Sequence, residues 1–326
     1  MPSPSTRSSA HPSNERAKAR TFHHSAYTAQ AIASARAERG LGATVCLPAR
    51  DCAATVGQIV GALAPLREAG AIEQVVVVDA ASEDGTADVA ARAGAEVWQE
   101  AELLPSFGPV LGKGDAMWRA LSRIDSELVC FVDADSERFS AHFVTGLLGP
   151  LVCEPDVAFV KAFYRRPLAG DGAAAAPGGG AAGVGARGAA RGTGDAAGEG
   201  GGRVNHLLAR PALALFYPEL AGIRQPLAGE VAARRELLAK LPFATGYGVE
   251  IAMLIDAWHE VGLQRMAQVD LEEHHNRHQP LAALAPMAQT VLATLARRME
   301  QEGRLAFGVG DHAPRERPPL ASLPAA

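Results

Sequence analysis

The residues best equipped for chemistry stand at the ends of apolar runs. Asp133-Ala134-Asp135 closes ELVCFVDAD (127–135). Two carboxylates one residue apart, just beyond a buried strand, can face one cleft and suit a hard divalent cation shared with phosphate oxygens. The same spacing also occurs in solvated turn acids. Pro48-Ala49-Arg50-Asp51 closes an earlier run. A base and ribose could pack on its backbone with Asp51 accepting hydrogen bonds, or it could be an ordinary turn. Asp79 follows four valines and needs a partner. Ser82 and Thr86 behind it read well as helix caps. In Gly112-Lys113-Gly114-Asp115 the glycines let backbone approach a phosphate and Lys113 supplies a point charge. The spacing is not that of a P-loop, and a solvated lysine in a flexible loop fits as well.

Further along, Glu272-Glu273-His274-His275-Asn276-Arg277-His278 places three histidines in five residues after AQVDL. Imidazole with carboxylate suits a Mn2+ or Mg2+ type of site, and the absence of HExxH disfavours a zinc protease. Arg203 follows Gly200, Gly201 and Gly202 and opens a helical pattern. A helix start with an arginine forms an anion site; otherwise this is the end of a glycine-rich stretch. Glu250, after Gly246-Tyr247-Gly248-Val249, is a carboxylate in an apolar helix.

These residues need a scaffold. TVCLPA (44–49), QVVVVDA (74–80), ELVCFVDAD (127–135) and VAFVKAFY (157–164) read as strands. Helical patterns cover 27–39, 54–68, 82–94 (with Ser82 as its cap) and 115–122. Strands alternating with helices predict βαβ units, a mostly parallel sheet and ligands at the strands' carboxyl ends. Helices are expected at 204–216, 231–241, 246–262 and 281–300. Residues 1–40 read as a disordered tail and short helix, 41–168 as one half of the site and 203–311 as the other. Between them, 169–202 holds 14 of the 34 glycines and reads as a flexible loop. Residues 312–326 read as a loose tail.

The chain has 326 residues, 48% hydrophobic and 21% charged, enough for one large α/β domain or two ordinary ones. A net charge of −5 argues against a general nucleic-acid binder. No apolar run reaches the ~18 residues of a membrane span, and the first residues lack the apolar core of a secretory signal. Cys46, Cys52, Cys130 and Cys153 show no C-x-x-C spacing, so neither a disulfide framework nor a zinc knuckle is expected. The expectation is a cytoplasmic protein.

Taken in order, LPARDCAATVG, VVVVDAASEDGT, LGKGDAMWRAL and FVDADS resemble the nucleotide-sugar half of GT-A glycosyltransferases. YRRPL, GGGRV and LPFATGYGVEI extend the likeness to the glucosyl-3-phosphoglycerate synthase family, from about Ala43 to about Arg297. The resemblance implies an α/β GT-A fold, a Rossmann-like mostly parallel sheet with a smaller helical acceptor region. It implies retaining transfer of glucose from UDP-glucose or GDP-glucose to the 2-hydroxyl of D-3-phosphoglycerate, dependent on Mg2+ or Mn2+, in a homodimer. Carried over, Pro48, Ala49, Asp51, Ser82, Lys113, Asp133 and Ala134 contact the nucleotide-sugar, and Tyr247 and Glu250 line the glucose pocket. Asp135 binds the metal, Gly202, Arg203 and Asn205 hold the acceptor, and Leu227 offers a carbonyl near the reacting centre. Asn205 stands where the family usually has threonine. The metal histidine aligns with Asn276 without a gap and with His275 after a one-residue shift; His274 and His278 are alternatives. The rival readings are a mannosyl-3-phosphoglycerate synthase or other GT-A transferase, a nucleotidyltransferase, and an inactive nucleotide-sugar binder.

Overall fold

A computed structural model describes residues 19–166, 202–275, 280–305, 310 and 313–324. Eight strands form one sheet: β1 (Arg20–His23), β2 (Ala43–Ala49), β3 (Gln74–Asp79), β4 (Glu96–Gln99), β5 (Leu128–Phe131), β6 (Phe159–Arg165), β7 (Val231–Arg234) and β9 (Met266–Glu273). Their order is β1-β9-β6-β7-β5-β2-β3-β4. β7 pairs antiparallel with both β5 and β6, and every other pairing is parallel. The carboxyl ends of the other strands therefore share one edge with the start of β7. That geometry brings Ala49, Asp79 and the residues after Phe131 together, and adds the segment leading into Val231.

Alternate side chains of the central strands enter two apolar cores, one on each face. Val76 and Val78 point to one, Val75 and Val77 to the other. Both faces are covered, which is why the strands read as unbroken apolar runs rather than as an alternation. Flanking helices are α1 (Ala29–Arg39), α2 (Val56–Glu68), α3 (Thr86–Arg92), α4 (Lys113–Leu121), α5 (His142–Cys153), α6 (Arg210–Phe216), α7 (Arg235–Leu238), α8 (Val249–Val261) and α9 (Leu281–Gln301). Thr28 caps α1 by accepting from the Ala31 N–H at 3.2 Å, and Gly40 ends it in the left-handed region at φ 62°.

Four sequence expectations change. Residues 231–241 form strand β7 and the short α7, not one helix. The alanines favour a helix locally, but Val231, Ala232 and Ala233 are buried between two strands. The helix expected from Ser82 begins at Thr86, whose N–H donates to Asp84 Oδ1 at 3.0 Å. Part of the expected N-terminal tail, Arg20–His23, pairs with β9, and Tyr27 packs where a side chain on Gly149 would stand (2.1 Å); residues 1–18 lie outside the described residues. The tail after 312 is also fixed over 313–324. There β10 (Glu316–Arg317) pairs antiparallel with β8 (Phe243–Ala244), Trp118 Nε1 donates to the Pro318 carbonyl at 2.8 Å, and Arg317 is buried. Apart from Gly202, the stretch 169–202 lies outside the described residues. No described helix is long and apolar enough to cross a membrane.

Candidate active site

A cavity of about 650 Å3 opens along the shared strand edge. Pro48 and Ala49 border it from β2, and Lys113 from the first residue of α4. Asp133, Ala134 and Asp135 enter from the turn after β5. Gly202, Arg203, Asn205 and Leu227 form another wall, and Tyr247 and Glu250 a third. Twelve of the residues singled out in the sequence thus meet in one space. Asp51 and Ser82 do not border it. Ser82 Oγ accepts from the Asp51 N–H at 2.9 Å and fixes that residue at a left-handed φ of 53°.

Lys113 Nζ donates to Asp133 Oδ1 at 2.6 Å and to Glu250 Oε1 at 2.8 Å. Burial alone would lower the ammonium's pKa. The two carboxylates outweigh it and hold the pKa well above its ordinary value. Asp135 has no hydrogen bond or ion pair among the described residues. Burial, then the charge of Asp133, raises its pKa. Thr55 Oγ1 donates to the Ala134 carbonyl at 2.6 Å and fixes the turn between the two acids. Gly229 lies against Asp133, and a Cβ there would stand 2.2 Å from Oδ2. An exposed, unpaired carboxylate beside a second acid fits a divalent cation, which would relieve the repulsion between the two.

Below this turn lies a buried network that the sequence did not announce. Glu230, at the start of β7, accepts from Tyr164 Oη at 2.7 Å and sits 3.1 Å from His274 Nε2. His274 Nε2 is also 2.8 Å from Ser136 Oγ, and its ring stacks on Tyr164 at 4.6 Å. Burial pushes the Glu230 carboxyl up, but His274, Tyr164 and Arg166 together bring it well below the usual range. His274 is thus engaged beneath the acid pair. The His275 carbonyl accepts from the Glu137 N–H at 2.9 Å, two residues past Asp135, while its Nε2 is 3.4 Å from Glu273. Asn276 and His278 lie outside the described residues.

On the opposite wall, the His206 N–H donates to the Gly202 carbonyl at 3.0 Å, so a helical turn starts there with Gly202 at φ 74°. Buried Asn205 turns its amide inward: Oδ1 accepts from the Leu227 N–H and Nδ2 donates to the Arg224 carbonyl, each at 3.4 Å. Its visible role is to place Leu227. Arg166 borders the cavity and donates to Tyr164 Oη at 3.1 Å; exposed Arg165 pairs with Glu273 at 3.3 Å instead. Buried Lys161, unmarked in the sequence, donates to the Ala228 carbonyl at 2.6 Å, and burial lowers its pKa to about 8.

The glycines around Lys113 serve packing. A Cβ on Gly114 would stand 1.8 Å from the Ala244 carbonyl oxygen, and one on Gly112 (φ 98°) 3.3 Å from that of Thr245. The 244–246 segment lies directly on the start of α4. Asp115 is fully buried and receives Arg317 through Nε at 2.7 Å and Nη2 at 2.8 Å, with Arg119 Nε at 3.2 Å. The C-terminal segment therefore anchors the helix that presents Lys113. A cation next to paired acids, a lysine and an arginine-bearing helical turn can together hold two anionic molecules at once.

No family model matches the chain. Its curated relatives include glucosyl-3-phosphoglycerate synthases from Petrotoga mobilis and Mycolicibacterium paratuberculosis. The first is 36% identical over 88% of this chain and 82% of the relative. The second is 41% identical over 86% and 78%. Among solved structures, mannosyl-3-phosphoglycerate synthase from Rubrobacter xylanophilus superposes with a TM-score of 0.80 at 41% identity, covering 94% of this chain and 96% of that one. Glucosyl-3-phosphoglycerate synthase from Mycobacterium tuberculosis, in complex with Mn2+, UDP-glucose and phosphoglyceric acid, superposes at 0.75 with 34% identity, covering 93% and 98%. With this extent of likeness in sequence and in fold, the chain belongs to the glucosyl-3-phosphoglycerate synthase family and has the GT-A fold of nucleotide-sugar glycosyltransferases.

Proposed function

We propose that the protein transfers glucose, with retention, from UDP-glucose or GDP-glucose to the 2-hydroxyl of D-3-phosphoglycerate. The observation that carries this reading is a single cavity holding Lys113 between two acids, the unpaired Asp135, and the Gly202–Arg203 turn. The nucleotide would lie against Pro48, Ala49 and Ala134, with Asp51 and Ser82 shaping the adjoining loop. Lys113 neutralises charge developing on the departing diphosphate. Asp135 and His275 would hold Mg2+ or Mn2+, which supplies further charge stabilisation there. Arg203, Arg166 and the Gly202 amide would seat the acceptor's phosphate and carboxylate, and Asn205 would keep the Leu227 carbonyl beside the reacting centre.

Tyr247 and Glu250 would line the sugar. Glu250 is held by Lys113, which suits a positioning role better than attack on the anomeric carbon. In our reading the bond between the anomeric carbon and the diphosphate oxygen breaks as the glycerate 2-oxygen bonds to the same face, and the 2-hydroxyl proton passes to the departing phosphate. We also place the protein in the cytoplasm as a homodimer; a sedimentation mass of one chain would rule out the dimer. The decisive experiment offers UDP-glucose, GDP-glucose and GDP-mannose in turn with D-3-phosphoglycerate and Mn2+ or Mg2+. Glucosyl-3-phosphoglycerate is expected. Turnover with GDP-mannose alone would establish the mannosyl reading, which the likeness to the Rubrobacter enzyme favours. Nucleotide binding with no product would mark an inactive sensor.

A further inference from the structure

At the edge of the sheet, where β1 pairs with β9, two histidines and a carboxylate converge that the proposed reaction does not use. His23 ends β1 opposite Asp270 in the parallel pairing, and His24 follows it. Glu272 comes from the end of β9. Its backbone lies in the left-handed region at φ 65°, and its N–H donates to Asp270 Oδ1 at 2.9 Å. A residue with a side chain occupies that region only where its surroundings impose it. The Glu272 carboxylate reaches the end of β1. Its Oε1 lies 3.3 Å from His24 Nε2 and 3.7 Å from His23 Nε2. All three atoms lie within 4.8 Å of one another.

These contacts fit a shared ion better than a hydrogen bond. His24 Nε2 is buried and, despite the nearby oxygen, has no hydrogen-bond partner among the described residues. A four-coordinate Zn2+ with bonds of about 2.0–2.1 Å sets its ligand atoms about 3.3 Å apart, which is the scale of both separations from Oε1. The rings are held from behind, as metal-ligating histidines are. His23 Nδ1 lies 2.8 Å from Ser25 Oγ, which can take its proton and leave Nε2 to bind; without an ion, Nδ1 can instead accept from the Ser25 N–H at 3.3 Å. His24 packs on His142 with ring centroids 4.3 Å apart, and the Leu271 carbonyl fixes His142 through Nε2 at 3.1 Å. The side chains of His23 and Glu272 are about half exposed, so an ion can enter and water can complete its shell. We propose that His23, His24 and Glu272 form a Zn2+ site that ties β1 to the end of β9. Two imidazoles with one carboxylate favour Zn2+ over Mg2+, which prefers oxygen ligands. The site needs no residue of the proposed transfer reaction. The ion would brace the strand that runs on into His274 and His275.

The test titrates Zn2+ by calorimetry into the full chain, stripped with EDTA and then held in excess Mg2+. Mg2+ suits the oxygen-rich acid pair and competes poorly for imidazole. Wild type should bind Zn2+ about 10-fold or more tighter than Glu272→Gln or His24→Ala, since losing a ligand costs at least as much as losing an outer partner of one. Co2+ in place of Zn2+ should give wild type the intense visible absorption of a four-coordinate site, and Glu272→Gln should lack it. Zn2+ should also raise the melting temperature of wild type, because an ion that binds the folded form stabilises it, and should leave that of Glu272→Gln unmoved. Glu272→Gln changes a half-exposed carboxylate to its amide, so it decides the question even if His24→Ala fails to fold. No Zn2+ uptake by wild type, or equal affinity in wild type and Glu272→Gln, would overturn the proposal.

Discussion

At the residue scale the account turns on Asp133, Asp135 and Lys113. Removing the lysine leaves the half-buried Asp133 and Glu250 without their shared partner, so Lys113→Met should reduce kcat by about 100-fold or more, measured as product release at saturating donor. Gly229→Ala tests positioning rather than chemistry. Its Cβ would press on the Asp133 carboxylate, and an ångström of misplacement costs about 10²-fold in rate. Circular dichroism should show an intact fold while activity falls. An active Gly229→Ala enzyme would mean that Asp133 is not held by that contact. Much of this site was legible as residue types at strand ends. Asp133, Asp135, Lys113, Arg203 and Glu250 all stood beyond apolar runs or glycine clusters. Glu230, Tyr164 and Lys161 were not legible, because each is a polar residue inside or beside a buried strand and shows its purpose only through partners distant in sequence.

At the scale of elements, α4 is the part that aims the chemistry, and the segment after residue 312 holds it. Arg317→Met would strip a buried carboxylate of its two-point partner and leave Asp115 with Arg119 and the Leu111 N–H. Breaking a buried pair from one side costs about 3–5 kcal/mol, so chemical denaturation should show a loss of that order. Gly114→Ala should destabilise as well, since the clash falls on the Ala244 backbone and cannot be relieved by a rotamer. The sequence pattern conveyed the central parallel strands β2, β3, β5 and β6, because buried apolar runs have few alternatives, and missed the parallel strands β1 and β4, whose residues are only partly buried. It concealed β7, whose Val-Ala-Ala-Arg composition suits a helix until the pairing with β5 and β6 is known. It also concealed α5, where His142–Cys153 is buried nearly all round and shows no amphipathic period.

For the whole molecule, stability and activity should respond to pH and to metal in ways that trace to named groups. Burial, then the charge of Asp115, raises the Glu100 carboxyl from near 4.5 in an unfolded chain to about 7 in the folded protein. Between those values the folded protein holds the extra proton, so stability should fall as pH rises through that window. The melting temperature of Glu100→Gln, measured without nucleotide, should lack this component; an unchanged pH profile would show that Glu100 does not titrate there. Chelation by EDTA should abolish transfer, and added Mn2+ should restore it. The most direct test of the account is the rate of glucose transfer to D-3-phosphoglycerate by wild type, Asp135→Asn and Arg203→Ala. The account predicts product from wild type, a loss of about 100-fold or more in kcat for Asp135→Asn, and a raised KM for the acceptor in Arg203→Ala. Transfer by both variants at the wild-type rate and acceptor KM would contradict it.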